Sequence, residues 1–407
     1  MTRDGPVEYE PRSVKAILAE MKDIAELLID LSYSSVLFED EDLAEEVLEL
    51  ESRMDVLQLQ ARMSLVMAGR SPEEAETLAP VFGIVGAAEK ISDAAGDIAK
   101  VVREDIGHPA ALTRHLPDAV ETLARAAVAP ESAYVDRSLG EIDLETATGV
   151  RVVAIRRGEE WVLNPDKDTH VRPGDVLLCR GAADAVAAVY REATGEAPPR
   201  EEPEPAAIDD LDRAVESVVL MKNMSELAVD LAYGSVLFDS TELATEVREL
   251  EIEVDALKSR FEAWALRAAA SVEDPVSIRG LLHIAASTEV ISDAAVEISE
   301  GVLRGFRGHP VVEAAVEETD EVIVRVVVGA GSELAGTGIA DLERDAGTGV
   351  SALAIRRESD GRGEEHGRDS NGEWLISPGP GTRLRAGDHL IAKGTRTGAE
   401  RLEHLAA

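Results

Sequence analysis

The stretch Tyr33-Ser34-Ser35-Val36-Leu37-Phe38 returns two hundred residues later as Tyr233-Gly234-Ser235-Val236-Leu237-Phe238. Around it, residues 21–57 match residues 221–257 at 20 of 37 positions. Later in the chain, Ala154-Ile155-Arg156-Arg157 is repeated as Ala354-Ile355-Arg356-Arg357. Matches at a fixed spacing indicate a duplicated structural unit. We therefore predict two copies of one fold within the 407 residues.

A proline-rich joint separates the two copies. Residues 196–209 contain four prolines between Glu196 and Pro205, and proline removes backbone donors and favours an extended chain. The second copy also contains an insertion at residues 358–372 that is rich in Gly, Asp and Glu. This composition predicts a solvated loop that lengthens a turn.

The first half of each copy has helical periodicity. Ile17, Met21, Ile24, Leu28 and Leu31 follow one another at three- or four-residue intervals, as on the buried face of a helix. A second run with this spacing follows. The sequence Ser71-Pro72-Glu73-Glu74 then places an N-cap, a proline and two acids at the start of a third helix. We predict three long antiparallel helices per copy.

The second half of each copy has the pattern of short strands. Residues 321–328 are rich in β-branched side chains, and shorter runs lie at 150–155, 160–163 and 176–179. A closing helix follows in both copies. Each half alone would have a small core, so we expect the two helical halves to pack together and the two α+β halves to pair.

The helical halves, at residues 10–108 and 210–309, resemble the PhoU family. The resemblance rests on the stretches Leu50 to Asp55 and Glu89 to Asp93, and on Leu250 to Asp255 and Glu289 to Asp293. The family's arginine after the third-helix glutamate is replaced here by Lys90 and Val290. The resemblance implies a helical bundle that binds metal clusters through these carboxylates.

The α+β halves, at residues 122–195 and 319–407, resemble the C-terminal domain of TrkA-type potassium-transport regulators (TrkA-C, or RCK_C). The resemblance rests on Leu139 to Leu144, Gly149 to Arg157 and Pro173-Gly174-Asp175, and on their counterparts up to Gly387-Asp388. The fold class implied is multidomain and duplicated, with all-α PhoU-like bundle halves and small α+β TrkA-C domains.

The charge of the chain limits its partners. It has 41 Lys+Arg against 80 Asp+Glu, for a net charge of −39. Nucleic acid and anionic lipid both require a basic face, so we expect neither as a partner. Only 8 of the basic residues are lysines. This acidic, arginine-rich composition is typical of a cytoplasm of very high salt, as in a halophilic archaeon, where a charge is screened over about 3 Å at 1 M.

The apolar and cysteine content limits location and chemistry. No apolar run is long enough to span a membrane, and the first residues have no secretory pattern, which predicts a cytoplasmic protein without direct membrane insertion. Cys179 is the only cysteine, so neither an internal disulfide nor a cysteine-based zinc site is available.

Carboxylate pairs at i, i+4 spacing recur in both helical halves. This spacing puts both side chains on one helix face, where they repel each other unless a hard cation binds them. The resemblance to PhoU implies a divalent or ferric ion on the pairs of the second and third helices. These residues are Glu51, Asp55, Glu89, Asp93, Glu251, Asp255, Glu289 and Asp293. The alternative is a solvated acidic face.

The paired arginines are the candidate ligand site of the α+β halves. Arg156, Arg157, Arg356 and Arg357 could meet the phosphates of a symmetric small ligand such as a cyclic dinucleotide at the seam between the two domains. A cation would instead favour Glu141, Asp143 and Asp341. No strand–GxGxxG–helix pattern is found, so we expect no NAD site. No catalytic constellation recurs, so we expect no enzyme.

Two functions follow from the resemblances. The first is a regulatory subunit of a cation transport system, with potassium as the cation expected first. Its TrkA-C domains would sense a ligand or ion, and its helices would dock on a membrane transporter and hold the protein at the membrane periphery. The alternative is a PhoU-type regulator of phosphate transport or signalling with metal on its helices. A homo-oligomer is compatible with both.

Overall fold

The two copies contribute to two compact units. The computed structural model describes residues 12–69, 71–107, 112, 122–158, 160–198, 209–272, 275–306, 310–316, 319, 321–345, 348–357 and 373–407. The insertion at 358–372 and most of the proline-rich joint lie outside these residues. The helical unit comprises residues 1–121 and 200–319, and the sheet unit comprises residues 122–199 and 320–407. Each unit contains one half from each copy, so the expected pairing of like halves is confirmed.

The described helices and strands repeat in the same order in both copies. In the first copy they are α1 (Val14–Phe38), α2 (Glu41–Ala68), α3 (Pro72–Arg103), β1 (Thr122–Ala127), α4 (Leu139–Ile142), α5 (Leu144–Thr148), β2 (Arg151–Arg157), β3 (Glu160–Leu163), β4 (Val176–Gly181) and α6 (Ala183–Thr194). In the second copy they are α7 (Asp209–Leu237), α8 (Thr241–Ala269), α9 (Ile278–Leu303), α10 (Pro310–Val316), β5 (Val322–Val327), α11 (Ile339–Asp345), β6 (Val350–Arg357), β7 (Glu373–Ile376), β8 (His389–Gly394) and α12 (Arg396–Ala406).

Side-chain caps fix where the helices of the first copy begin. The Ser13 hydroxyl accepts a hydrogen bond from Ala16 N at the start of α1, and Asp40 accepts one from Leu43 N at the start of α2. Ser71 does the same for Glu74 N, and Pro72 is the first residue of α3. The predicted start of the third helix is therefore confirmed. Each cap satisfies a backbone donor that has no partner within its helix.

The third helices of the two copies pack antiparallel with complementary shapes. A Cβ placed on Gly280 of α9 would lie 2.8 Å from Val101 Cγ1 of α3, and a Cβ on Gly301 would lie 2.8 Å from Pro80 Cβ. The residues equivalent to Gly280 and Gly301 in the first copy are Pro80 and Val101 themselves. Thus α3 supplies both bulky residues and α9 supplies both glycines.

A reciprocal pair of cation–π contacts also joins the copies. The Lys22 ammonium lies 5.4 Å from the centre of the Tyr233 ring, and the Lys222 ammonium lies 5.2 Å from that of Tyr33. Both lysines are buried, and each donates a hydrogen bond to the glutamate one turn later, Glu26 or Glu226. Burying an ammonium requires such partners, so these contacts hold the two halves in one arrangement.

The sheet unit contains two four-stranded antiparallel sheets. Their strand orders are β1-β4-β2-β3 and β5-β8-β6-β7. A register shift interrupts the central pairing at the same place in both, between Val152 and Ala154 and between Ala352 and Ala354. In each half, apolar side chains of the sheet pack against the closing helix, α6 or α12, and form a separate core. Among the described helices, none combines the length and apolar character needed to cross a bilayer.

Candidate functional site

Three carboxylates converge in the helical half of the second copy. Glu251 and Asp255 lie one turn apart on α8, and Asp293 lies opposite them on α9. One carboxylate oxygen from each lies within 4.8 Å of the others. Glu289, the fourth residue of the predicted set, accepts a hydrogen bond from the Lys258 ammonium instead. The structure therefore brings together three of the four residues, with the type and spacing of ligand that a hard cation prefers.

Burial and mutual repulsion raise the pKa values of two of these carboxylates. Desolvation raises the pKa of Asp293, and the nearby charges of Glu289 and Asp255 raise it further, while Lys90 and Lys258 partly oppose the rise. Desolvation and the charges of Asp255 and Asp293 raise the pKa of Glu251 in the same way. Repulsion between like charges disfavours the ionised forms, and a bound cation would remove that cost.

Among the described residues, the equivalent carboxylates of the first copy do not converge in this way, and a cation lies beside one of them. The Lys100 ammonium lies 3.8 Å from Glu51 Oε1 and donates a hydrogen bond of 2.8 Å to Asp97. Desolvation raises the pKa of Glu51, and the positive charge of Lys100 only partly opposes this rise, to which Asp93 also contributes. In the second copy the residue at the position of Lys100 is Glu300. The two copies therefore have equivalent carboxylates, but the side chains at positions 100 and 300 differ by two units of charge.

The four arginines predicted to bind ligand form two equivalent pairs, and the contacts differ between the pairs. Arg157 donates hydrogen bonds of 2.9 and 2.7 Å to the two oxygens of buried Asp175, and a third to His170 O. Arg357 makes the same contacts with Asp388 and Arg383 O. Arg156 and Arg356 lie opposite Trp161 and Trp374 in the strand register. The Arg157 and Arg357 pairs thus join the end of the central strand to the turn before the last strand in each domain.

A buried ion cluster joins the two halves of the sheet unit. Arg180 Nη2 of the first copy donates to both carboxylate oxygens of Glu321, at 2.9 Å each. Arg151 Nη1 lies 3.2 Å and Lys393 Nζ lies 3.4 Å from the same carboxylate. Glu321, Arg180 and Lys393 are buried. Sequence reasoning missed this cluster, because nothing in the strand patterns shows that the two copies meet at these residues.

The backbone approaches closely at the same seam, the contact between the two α+β halves. A Cβ placed on Gly349, which has a left-handed φ of 56°, would lie 2.1 Å from Glu145 O of the other copy. The hydroxyls of Thr146 and Thr395 lie 3.2 Å apart. The seam therefore includes backbone contact as well as the ion cluster, and a residue larger than glycine at 349 would push the halves apart.

A cavity of about 580 Å³ opens on this seam. Its walls come from α4, α5 and β2 of the first copy, the loop 164–167 after β3, and the first turn of α12 of the second copy. Its charged lining residues are Asp143, Glu145, Arg151, Asp166, Lys167 and Arg396. Asp143, one of the residues predicted for a cation, is among them. The cavity lies at the start of β2, and Arg156 and Arg157 at the end of that strand do not line it.

Local contacts hold the walls of the cavity in place. Arg151 Nη2 donates a 2.9 Å hydrogen bond to Asn164 Oδ1, and both residues line the cavity. Asp166 Oδ1 accepts from Asp168 N and Thr169 Oγ1, which fixes the loop, and Lys167 O accepts from Gly140 N at 2.7 Å. Glu141, predicted for a cation, accepts from Ser138 N in a capping box. A ligand here would touch both copies, since α12 belongs to the second.

Two family models match the chain twice each. The PhoU domain model matches residues 18–102 and 218–302, and the TrkA-C domain model matches residues 123–194 and 323–407. Both are families of regulatory domains rather than enzymes. The helical halves and the α+β halves are thereby assigned to the families that their motifs predicted.

Three solved structures match this chain at low identity. PhoU from Pseudomonas aeruginosa is 13% identical, with a TM-score of 0.40, over 72% of this chain and 96% of that one. The GsuK RCK domain is 15% identical, with a TM-score of 0.17, over 70% of this chain and 63% of that one. The GsuK channel bound to NAD is 15% identical, with a TM-score of 0.18, over 70% of this chain and about half of its own length, 52%. Among curated proteins no match is found.

Proposed function

Because the chain is built from two PhoU domains and two TrkA-C domains, we propose that it regulates a cation transport system, with potassium as the cation. The observation that supports this most directly is the cavity on the seam between the paired TrkA-C domains. A ligand bound there contacts both domains, so it stabilises whichever arrangement of the pair fits it better. The TrkA-C pair is the sensor in this proposal, and the PhoU helices dock on the membrane transporter.

Both halves of the sensor come from one chain. The seam is closed by buried ion pairs and by backbone contact between the copies. Such a pair needs no second chain to form its ligand site, whereas an unduplicated domain would have to dimerise first. The protein would then respond to ligand concentration without depending on its own concentration.

Transport in a deletion strain tests this function. We expect deletion of the gene in its native host to change potassium uptake at limiting external potassium, while phosphate uptake stays unchanged. The full-length gene on a plasmid should restore the original rate. A change in phosphate uptake alone would favour the phosphate alternative, and unchanged uptake of both ions would contradict both functions.

The converging carboxylates of the second copy favour metal binding by the helical unit as a second function. Glu251, Asp255 and Asp293 could hold a divalent or ferric ion, which would neutralise their mutual repulsion. In the first copy, Lys100 supplies a positive charge at the equivalent cluster. We therefore expect the two clusters to differ in metal affinity, with the stronger site in the second copy.

Metal content after saturation checks this difference. Full-length protein equilibrated with Mn²⁺ or Fe³⁺ and then desalted should retain about one ion per chain by elemental analysis. Asp293→Ala should lose it, because one of three ligands is removed, whereas the matched variant Asp93→Ala should retain it. Retention should also fall as the pH is lowered, since protons compete for the carboxylates. Protein without bound metal would mean that these residues form only a solvated acidic face.

A further inference from the structure

The two ends of the TrkA-C seam are equivalent in backbone but differ in side chains. Asn164 N donates to Val153 O in the first copy, and Ser377 N donates to Leu353 O in the second, with left-handed φ values of 42° and 45°. In the same way, α6 and α12 each begin two residues after the last strand of their own domain. These shared contacts define which residues correspond.

The cations of the cavity are found at one end only. Arg151 corresponds to Ser351, since each lies opposite the buried cation of the last strand, Arg180 or Lys393. Lys167 corresponds to Pro380, because their carbonyls accept from Gly140 N and Ala340 N. Arg396, the first residue of α12, corresponds to Ala183 in α6. A ligand that needs these cations can therefore bind at one end of the seam and not at the other.

A ligand with two-fold symmetry does not match this arrangement. A symmetric dinucleotide placed across the seam would meet Arg151, Lys167 and Arg396 with one phosphate, and serine, proline and alanine with the other. Recognition of a phosphate in proteins relies on charged donors and on the backbone N–H groups of a helix N-terminus. Among the described residues, such donors are present at only one of the two phosphates of this ligand, the phosphate that would lie at the first turn of α12.

We propose that the cavity binds one phosphate-bearing mononucleotide per chain, a refinement that rests on the sensor role proposed above. Lys167, Arg396 and the first turn of α12 would receive the phosphate, and Arg151, which donates a hydrogen bond to Asn164, would add a third positive charge. Asp143 and Glu145, on the α4–α5 wall, would accept from the amino or hydroxyl donors of the nucleoside. A volume of about 580 Å³ lies in the range of small-ligand pockets.

Calorimetry on the full chain tests the proposal. The probes are AMP, GMP, CMP and UMP, with inorganic phosphate and cyclic di-AMP as comparisons. We expect at least one mononucleotide to bind with a stoichiometry of one per chain and more tightly than inorganic phosphate. Lys167→Ala and Arg396→Ala should each weaken that binding about tenfold or more, the loss of one charge-assisted contact. Asp184→Ala, in the first turn of α6, is the matched control and should leave affinity within about twofold.

Several outcomes would overturn the proposal. These are the absence of mononucleotide binding, equal affinity for inorganic phosphate, or affinity unchanged in both Lys167→Ala and Arg396→Ala. Binding of cyclic di-AMP that neither variant weakens would also overturn it, while leaving the sensor role intact. Conversely, mononucleotide binding in a protein whose deletion changes no transport would contradict the proposed function alone. Lys167 is exposed in a loop, so its removal should not alter the thermal unfolding midpoint.

Discussion

Glu321→Ala is expected to lower the free energy of unfolding of the sheet unit by about 3–5 kcal/mol, the usual effect of breaking a buried ion pair. The Glu321 carboxylate accepts two hydrogen bonds from Arg180 and lies within 3.4 Å of Arg151 and Lys393. Removing it leaves three cations close together without the carboxylate that they share. Because two of these cations come from the first copy and one from the second, the seam itself should loosen.

Hydrogen exchange on the full chain can measure this effect locally. We expect amides of β4 and β8 to exchange faster in Glu321→Ala, while amides of α3 in the other unit keep their rates. Glu400→Ala provides the control, since Glu400 is an exposed acid of the same copy and its removal should cost less than 1 kcal/mol. Equal protection in Glu321→Ala and Glu400→Ala would mean that the ion cluster does not hold the seam.

The sequence predicted the elements of the fold better than their contacts. The spacing of Ile17 to Leu31 predicted α1, and the β-branched run at 321–328 predicted β5, because periodicity and strand propensity are local properties. The strand Thr122–Ala127 has no such run, since three of its six residues are alanine and only Thr122 is β-branched. Its identity as a strand follows from pairing with Val176–Gly181, a contact distant in sequence.

The site residues illustrate the same limit. Arg157 and Asp175 each belong to a motif quoted from the sequence, yet the sequence alone did not reveal that they bind each other. The cavity is lined by residues from four separate segments and from both copies, so it forms only once the domains are paired. Comparing the copies position by position could have pointed to it, because Lys167 and Arg396 have uncharged counterparts in Pro380 and Ala183.

The helical unit offers a prediction in which two glycine-to-alanine changes have opposite effects. Alanine is favoured over glycine inside a helix by about 1 kcal/mol. Gly86→Ala in α3 should therefore stabilise the protein, because outside its own turn of helix no atom lies within 4 Å of the new Cβ. Gly280→Ala in α9 should destabilise it by about 1–3 kcal/mol, because the new Cβ would lie 2.1 Å from Gly107 O. It would also force apart the 2.9 Å hydrogen bond between Gly280 N and Gly107 O.

Urea unfolding of the full chain, with hydrogen exchange in α3 and α9 to locate the change, distinguishes these effects. If both variants were more stable than the wild type, helix propensity alone would explain them, and the close packing of α3 against α9 would be contradicted. Gly301→Ala extends the test, since its Cβ would lie 2.8 Å from Pro80 Cβ. A loss of stability in both Gly280→Ala and Gly301→Ala would support this close packing. Duplication would then have let one helix keep the bulky residues while the other kept the glycines. Two identical subunits cannot divide residues in this way.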